Sequence, residues 1–320
     1  MGILEVKNLI VSIQSLYKKV NILRNISFSI GKNEVVSLVG ESGSGKTFTA
    51  LSIMKLLPQA AKIETGEILI DGENIIEKDE KKMVKIRGEK VSMIFQEPSS
   101  HLNPVFTIGN QMVECVKGNL TKGEKKEKVI EILKEVELPE YIFYQYPHQL
   151  SGGMQQRVMI GMAIINKPSL LIADEPTTAL DVSTSFRIIN LLKKLISTHK
   201  ISVIFITHDI SLAVNFSDKI YVMYAGEIVE KSPSKKLINS PLHPYSEKLI
   251  ACLPEKYKKR EKIKTIEGTV PDFSSLPSGC AFHPRCPYKK EICEKFLPEE
   301  IKIGESYVRC FRYGKITKNN

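Results

Sequence analysis

Between Leu4 and Gly72 short apolar runs alternate with turn residues: Leu4 to Val11, Ile22 to Ile30, Val35 to Val39, then Glu67-Ile-Leu-Ile-Asp-Gly72. Their length and punctuation predict strands. After Lys46 apolar residues return at helical spacing, at Phe48, Leu51, Met54 and Leu56, so that a strand, a glycine-rich turn and a helix follow one another. Val91 to Phe95 reads as another buried strand, ending in Gln96. From Pro98 to about Lys167 the pattern turns helical, with Val129, Ile130, Leu133 and Val136 on one face of a Lys/Glu-rich amphipathic helix. Unbroken apolar runs at Leu170 to Ala173, Ile201 to Ile206 and Lys219 to Val222, separated by a helix from Ser183 to His199, predict strands buried on both faces of a parallel sheet. The pattern predicts an α/β fold with an inserted helical subdomain at about 98–167. Past Ser232 the prolines at 233, 241, 244, 254, 271 and 277 break any long element, which marks an appended piece.

Length agrees with that division. A chain of 320 residues exceeds the usual single-domain range, so a core domain over 1–231 and a smaller extension over 232–320 are expected. Hydrophobic residues make up 42% and charged residues 26%, as in a soluble globular protein, and the longest apolar runs fall far short of a membrane span. Met1-Gly-Ile-Leu-Glu-Val has no basic region of the kind that opens a secretory signal, so the chain is expected in the cytosol. The net charge of +10 is uneven: residues 1–230 carry +1 and residues 231–320 carry +9. That basic tail lacks the aromatic interleaving of a nucleic-acid surface; it reads as a solvated face, or as contact with a membrane partner near acidic lipid heads.

Three segments carry chemistry. Gly40, Glu41, Ser42, Gly43, Ser44, Gly45, Lys46 and Thr47 fit Gly-x4-Gly-Lys-Thr, whose glycines free backbone N–H groups to wrap phosphate oxygens at a helix N-terminus. Lys46 would reach the β- and γ-phosphates of a nucleotide and Thr47 its Mg²⁺. Asp174 ends an apolar strand, where a carboxylate can join Thr47 and Gln96 at Mg²⁺, and Glu175 beside it can act as general base on an attacking water. His208, in Ile206-Thr-His-Asp209, is placed to contact the γ-phosphate and align that water. Gln96 could also report nucleotide state to the helical subdomain. Alone, each would be an ordinary helix cap or surface polar residue. Their order beside predicted strands and helix starts makes the joint reading.

The third segment, Leu150-Ser-Gly-Gly-Met-Gln-Gln-Arg157, looks like the signature motif of ABC transporter nucleotide-binding subunits, and the resemblance spans about residues 4–230. It implies a phosphate-loop ABC ATPase core and a head-to-tail dimer, in which Ser151, Gly152 and Gly153 close the ATP held on the partner's phosphate loop. A Ser-Gly-Gly segment opening a helix is indeed an N–H anion site with no ligand in its own chain. Met154 stands where the family commonly has Gln, a departure in which it resembles the peptide-importer branch, which also shows Met there. Ala179-Leu180-Asp181 resembles the loop that crosses the dimer interface. The family stacks an aromatic ring on adenine; Tyr17 is the candidate here, with Ile13 in an alternative alignment.

The tail narrows the resemblance. His243-Pro-Tyr-Ser, Pro271 with Pro277, Gly279-Cys-Ala-Phe-His-Pro-Arg-Cys286-Pro, and Tyr146-Pro-His148 before the signature are similar to oligopeptide and dipeptide importer ATPases. This implies work with a second ABC ATPase subunit (a homodimer in isolation), two membrane permeases and an extracytoplasmic substrate-binding protein, at the cytoplasmic face of the membrane. Nickel and oligosaccharide importers remain alternatives, as does, from another class, a soluble ABC ATPase of nucleic acid or ribosomes; the latter usually carries long coiled coils or a second nucleotide domain, and no nucleic-acid partner is expected. Cys280, Cys286, Cys293 and Cys310 cluster in the tail, and in a reducing cytosol clustered thiols favour a bound metal over disulfides. Their spacing lacks the Cys-x2-Cys knuckles of structural zinc, and some ATPases of the resembling branch hold a four-iron four-sulfur cluster here, so that cluster is expected ahead of zinc or unligated thiols.

Overall fold

The computed structural model describes residues 2–14, 18–178, 180–253 and 266–314. In chain order the strands are β1 (Leu4–Gln14), β2 (Lys19–Ile30), β3 (Val35–Val39), β4 (Ala61–Ile70), β5 (Glu73–Asn74), β6 (Val91–Ile94), β7 (Leu170–Asp174), β8 (Ser202–Thr207), β9 (Lys219–Tyr224), β10 (Glu227–Pro233), β11 (Glu300–Ile303) and β12 (Ser306–Arg309). The helices are α1 (Lys46–Met54), α2 (Glu80–Glu89), α3 (Pro98–His101), α4 (Ile108–Cys115), α5 (Lys122–Glu135), α6 (Gly152–Ile164), α7 (Val182–His199), α8 (Ile210–Phe216), α9 (Ser234–Asn239), α10 (Pro244–Ala251) and α11 (Glu291–Lys295). By internal contacts the chain forms two compact units.

The first unit comprises 1–4, 29–34 and 69–205. β6 and β7 pair in parallel, Val91 with Leu170 through Ile94 with Ala173, and β8 lies beside β7. Every residue of β6, β7 and β8 is buried, as strands covered on both faces require. From Pro98 to Ile164 all regular elements are helical. α5 starts from a Thr121 capping box closed by Glu124 and buries Val129, Ile132 and Leu133. α7 buries Ile188, Leu191, Leu192 and Leu195, one stripe at the helical period. No expectation covered α2, whose sequence has only Met83 and Ile86 as buried residues.

The second unit comprises 5–28, 35–68 and 206–320. β3 and β9 run parallel, Val36 to Val39 against Lys219 to Val222; β10 returns antiparallel to β9, and the β11–β12 hairpin extends that edge. Val39, Val222, Tyr224, Leu237, Tyr245, Ile250, Ala281 and Phe282 share one buried cluster, so the appended residues finish the core behind β3 and β9. Ring contacts of Tyr224 with Tyr245 (4.7 Å) and Phe282 (5.1 Å) fill its centre. Among the described residues no helix is long and apolar enough to cross a membrane.

Candidate functional site

In the second unit, β3 delivers the chain into Gly40–Gly45 and α1 begins at Lys46. Gly45 caps α1 at φ 103°, a left-handed conformation, with no side-chain acceptor on the first-turn amides. A Cβ there would sit 2.9 Å from Leu23 Cδ2, so glycine is required by both backbone and space. A helix start without a side-chain cap is the arrangement that an anion site at this position requires. Lys46 is buried and its ammonium donates to the carbonyls of Gly40 (2.8 Å) and Glu41 (3.0 Å), curling the loop around the lysine head. Thr47 lies exposed at the start of α1, and His208 lies exposed just past the end of β8.

In the first unit the register of β6 against β7 explains a contact absent from local sequence. Ile94 faces Ala173 in parallel pairing, so Gln96 and Glu175 leave adjacent strands at the same end, and Gln96 Nε2 donates to Glu175 Oε2 at 3.4 Å. Thr178 Oγ1 donates to the same oxygen at 2.9 Å. Glu175 has φ 45°, an uncommon conformation for a residue with a Cβ. Asp174, the last residue of β7, is buried. As a buried carboxylate it fits the oxygen-donor chemistry of Mg²⁺. Gln96, Asp174, Glu175 and Ser151–Gly153 belong to the first unit, while Gly40–Thr47 and His208 belong to the second. Tyr17 and Ala179 lie outside the described residues.

Ser151 caps α6 by accepting from the Met154 N–H at 3.4 Å, and the helix opens on Gly152 and Gly153. An open hollow of about 650 Å³ lies over this start, edged by Arg157, Asp181 and Arg187. Asp181 caps α7; the Ser183 hydroxyl (2.7 Å), then the Thr184 N–H (3.0 Å), hold its carboxyl well below the usual range.

The four tail cysteines line a single cavity of about 20 Å³, room for one water. Gly279 (φ 65°) lets that loop press onto the Cys293 carbonyl, 2.4 Å from where a Cβ would stand, and the Cys280 N–H donates to the same carbonyl at 2.8 Å. Burial pushes the Cys280 thiol up to about 12, with Cys293 and Cys310 adding to it, and burial also raises Cys286 and Cys310. These thiols are protonated at neutral pH unless a cation takes their place. Among the described residues no group of three or more His, Cys, Asp or Glu is placed to hold a metal ion. The donor chemistry suits thiolate ligation; the closed-up cavity does not yet have room for a cluster.

Motif reading missed two residues that touch the loop, Tyr245 and Arg285. They stand 204 and 244 positions from their loop partner, so no local pattern could flag them.

The model of the ABC transporter family matches residues 23–178, and that of the oligopeptide/dipeptide transporter C-terminal region matches residues 229–293. The chain is 40% identical over 314 residues to the dipeptide transport ATP-binding protein of Haemophilus influenzae, covering 97% of this chain and 95% of that protein. It is 42% identical over 318 residues to the oligopeptide transport ATP-binding protein of Bacillus subtilis, covering 97% of each. Among solved structures, the dimeric post-hydrolysis state of the ATP-binding cassette MJ0796 with ADP and Pi matches at 33% identity and TM-score 0.65, covering 72% of this chain and 98% of that one. The cbiO1 subunit of the cbiONQ ABC transporter complex of Clostridium perfringens matches at 27% identity and TM-score 0.65, covering 75% and 91%.

Proposed function

The chain belongs to the ABC transporter ATP-binding subunits and is an ABC ATPase, and from that premise we propose that it powers import of di- and oligopeptides through membrane permeases. The observation that carries the cargo is the tail, because residues 229–293 match the oligopeptide/dipeptide region while the cassette motifs are common to all cargoes. Residues 1–231 form the nucleotide-binding domain, with 98–167 as its helical subdomain, and 232–320 the importer extension. The subunit works at the cytoplasmic face of the membrane beside a second ATPase subunit, two permeases and an extracytoplasmic binding protein, and contacts no nucleic acid.

Each site residue then has a task. The first-turn amides of α1 bind the phosphates, and Lys46 swaps the loop carbonyls for β- and γ-phosphate oxygens. Glu175, held at Oε2 by Thr178 and Gln96, takes a proton from water as that water attacks the γ-phosphorus in line. The bond from the γ-phosphorus to the β-γ bridging oxygen breaks, leaving ADP and phosphate. His208 steadies the γ-phosphate, Tyr17 stacks on adenine, and Ser151, Gly152 and Gly153 close the partner's ATP. Thr47, Gln96 and Asp174 would hold Mg²⁺, which neutralises phosphate charge when bound. Cys280, Cys286, Cys293 and Cys310 would hold a four-iron four-sulfur cluster if the cavity they line widened to admit one; what supports this is the thiolate donor chemistry of four cysteines around one cavity.

A strain lacking the gene, supplied with a required amino acid only as a dipeptide, is expected to stop growing, and unimpaired growth would rule out peptide cargo. Anaerobically purified protein is expected to hold about four irons and four sulfides per chain. One zinc, or no metal, would remove the cluster and leave the ATPase standing.

A further inference from the structure

Glu41, the second residue of the phosphate loop, is held from two directions. From within the loop, its carbonyl accepts from Lys46 Nζ (3.0 Å) and from the Ser44 N–H (3.2 Å), the turn that folds the loop back on itself. From the tail, its N–H donates to the Tyr245 hydroxyl at 2.9 Å, and its carboxylate accepts both arms of the Arg285 guanidinium, Nη1 to Oε1 at 3.0 Å and Nη2 to Oε2 at 3.2 Å. The Arg285 side chain is 6% exposed and that of Glu41 29%, so the fork is largely withdrawn from water, where a bidentate pair fixes geometry best. Tyr245 is fully buried. Arg285 is itself anchored by the carbonyls of Glu267 (2.9 Å) and Gly268 (3.1 Å) and by the Tyr224 hydroxyl (3.3 Å).

We infer that Arg285 and Tyr245 are positioning residues for nucleotide binding, which act on ATP through Glu41. They pin the first turn of the phosphate loop, so the amides that follow are aimed before ATP arrives. Arg285 also offsets a carboxylate that would otherwise stand unneutralised beside a polyanionic ligand. ATP affinity is thereby tied to the folding of the tail around residues 266–286. This rests on the reading of Gly40–Thr47 as the ATP site.

The test is a cycle on the full-length protein: unaltered, Arg285→Ala, Glu41→Ala and the double variant, each titrated with ATP and assayed for ATPase. Arg285→Ala is expected to weaken ATP binding roughly five- to tenfold and to raise KM with kcat within about twofold, and to change affinity less than about twofold once Glu41 is alanine. The contacts of Arg285 to residues 267 and 268 are common to both backgrounds, so a merely structural loss lowers the thermal midpoint equally in each and leaves no such difference. Tyr245→Phe keeps the ring in the core and removes the hydroxyl alone; it is expected to weaken ATP binding several-fold. If Arg285→Ala and Tyr245→Phe bind ATP as the unaltered protein does, or if Arg285→Ala loses affinity equally in both backgrounds, the inference is overturned. Failure of the unaltered protein to bind ATP would overturn the reading of the loop, and this inference with it.

Discussion

Glu175, the base of the proposed reaction, is held by two side-chain hydrogen bonds. One carboxylate oxygen takes donors from Thr178 and Gln96, and these two contacts fix where it points. Glu175→Gln keeps size and polarity but cannot accept the proton of the attacking water. Steady-state ATPase is expected to fall by at least about a hundredfold while ATP binding persists, and ATP-dependent dimers should accumulate on a sizing column. A variant with normal turnover would remove Glu175 as the base. Asp174 and Glu175 were legible as a pair because strand-end carboxylates after an apolar run are a local pattern. The grip of Gln96 was not, since it arises from the pairing of strands whose contact spans 79 residues.

The proposed function places the rest of its chemistry at helix starts. On α6, a Cβ at Gly152 would meet only Leu180 Cδ2 at 3.5 Å, an ordinary contact, whereas at Gly153 it would lie 2.7 Å from Thr184 Cγ2. Gly152→Ala is therefore expected to fold with a stability change below about 1 kcal/mol and still lose ATPase, because in the proposed function the new methyl stands where the partner's phosphates would dock. Gly153→Ala should lose about 1–3 kcal/mol in urea denaturation as well. Retained ATPase in Gly152→Ala would refute the docking of phosphate at this helix. On α10, His243 caps the first turn by accepting the Tyr245 N–H at 3.1 Å, and burial, helped by the charge of Arg312, lowers its pKa to about 3. An unfolded histidine titrates near 6.5, so between about 6.5 and 3 the unfolded chain binds the extra proton and stability falls as pH falls. His243→Asn keeps an acceptor for the cap but removes this titration. Its denaturation midpoint is expected to decline less steeply than the unaltered protein's from pH 6.5 to 4, and equal slopes would contradict a buried neutral imidazole. α5 and α7 were readable from their apolar stripes; α2 was not, because two buried residues in ten positions make no stripe.

At the scale of the whole molecule, the proposed function sets ATP between the phosphate loop of one subunit and the signature segment of a second copy or a related subunit. Specific ATPase activity of the isolated protein is expected to rise with protein concentration and level off as dimers fill. Activity independent of concentration over a hundredfold dilution would argue for a site complete within one chain. What the amino-acid order determined by itself is the cassette: the loop glycines, Lys46, the Ser151–Gly153 helix start and the Asp174–Glu175 strand end each work through neighbours within a few residues. The run of prolines past Ser232 likewise sets the expected start of the extension. Only the tertiary structure decided how that extension serves the site. Burial of Tyr245 and Phe282 in one cluster with Val39 and Val222 brings Arg285 onto Glu41 and draws four thiols around one cavity. Those contacts join residues as much as 244 apart, and burial against a distant strand leaves no period in the sequence that forms it.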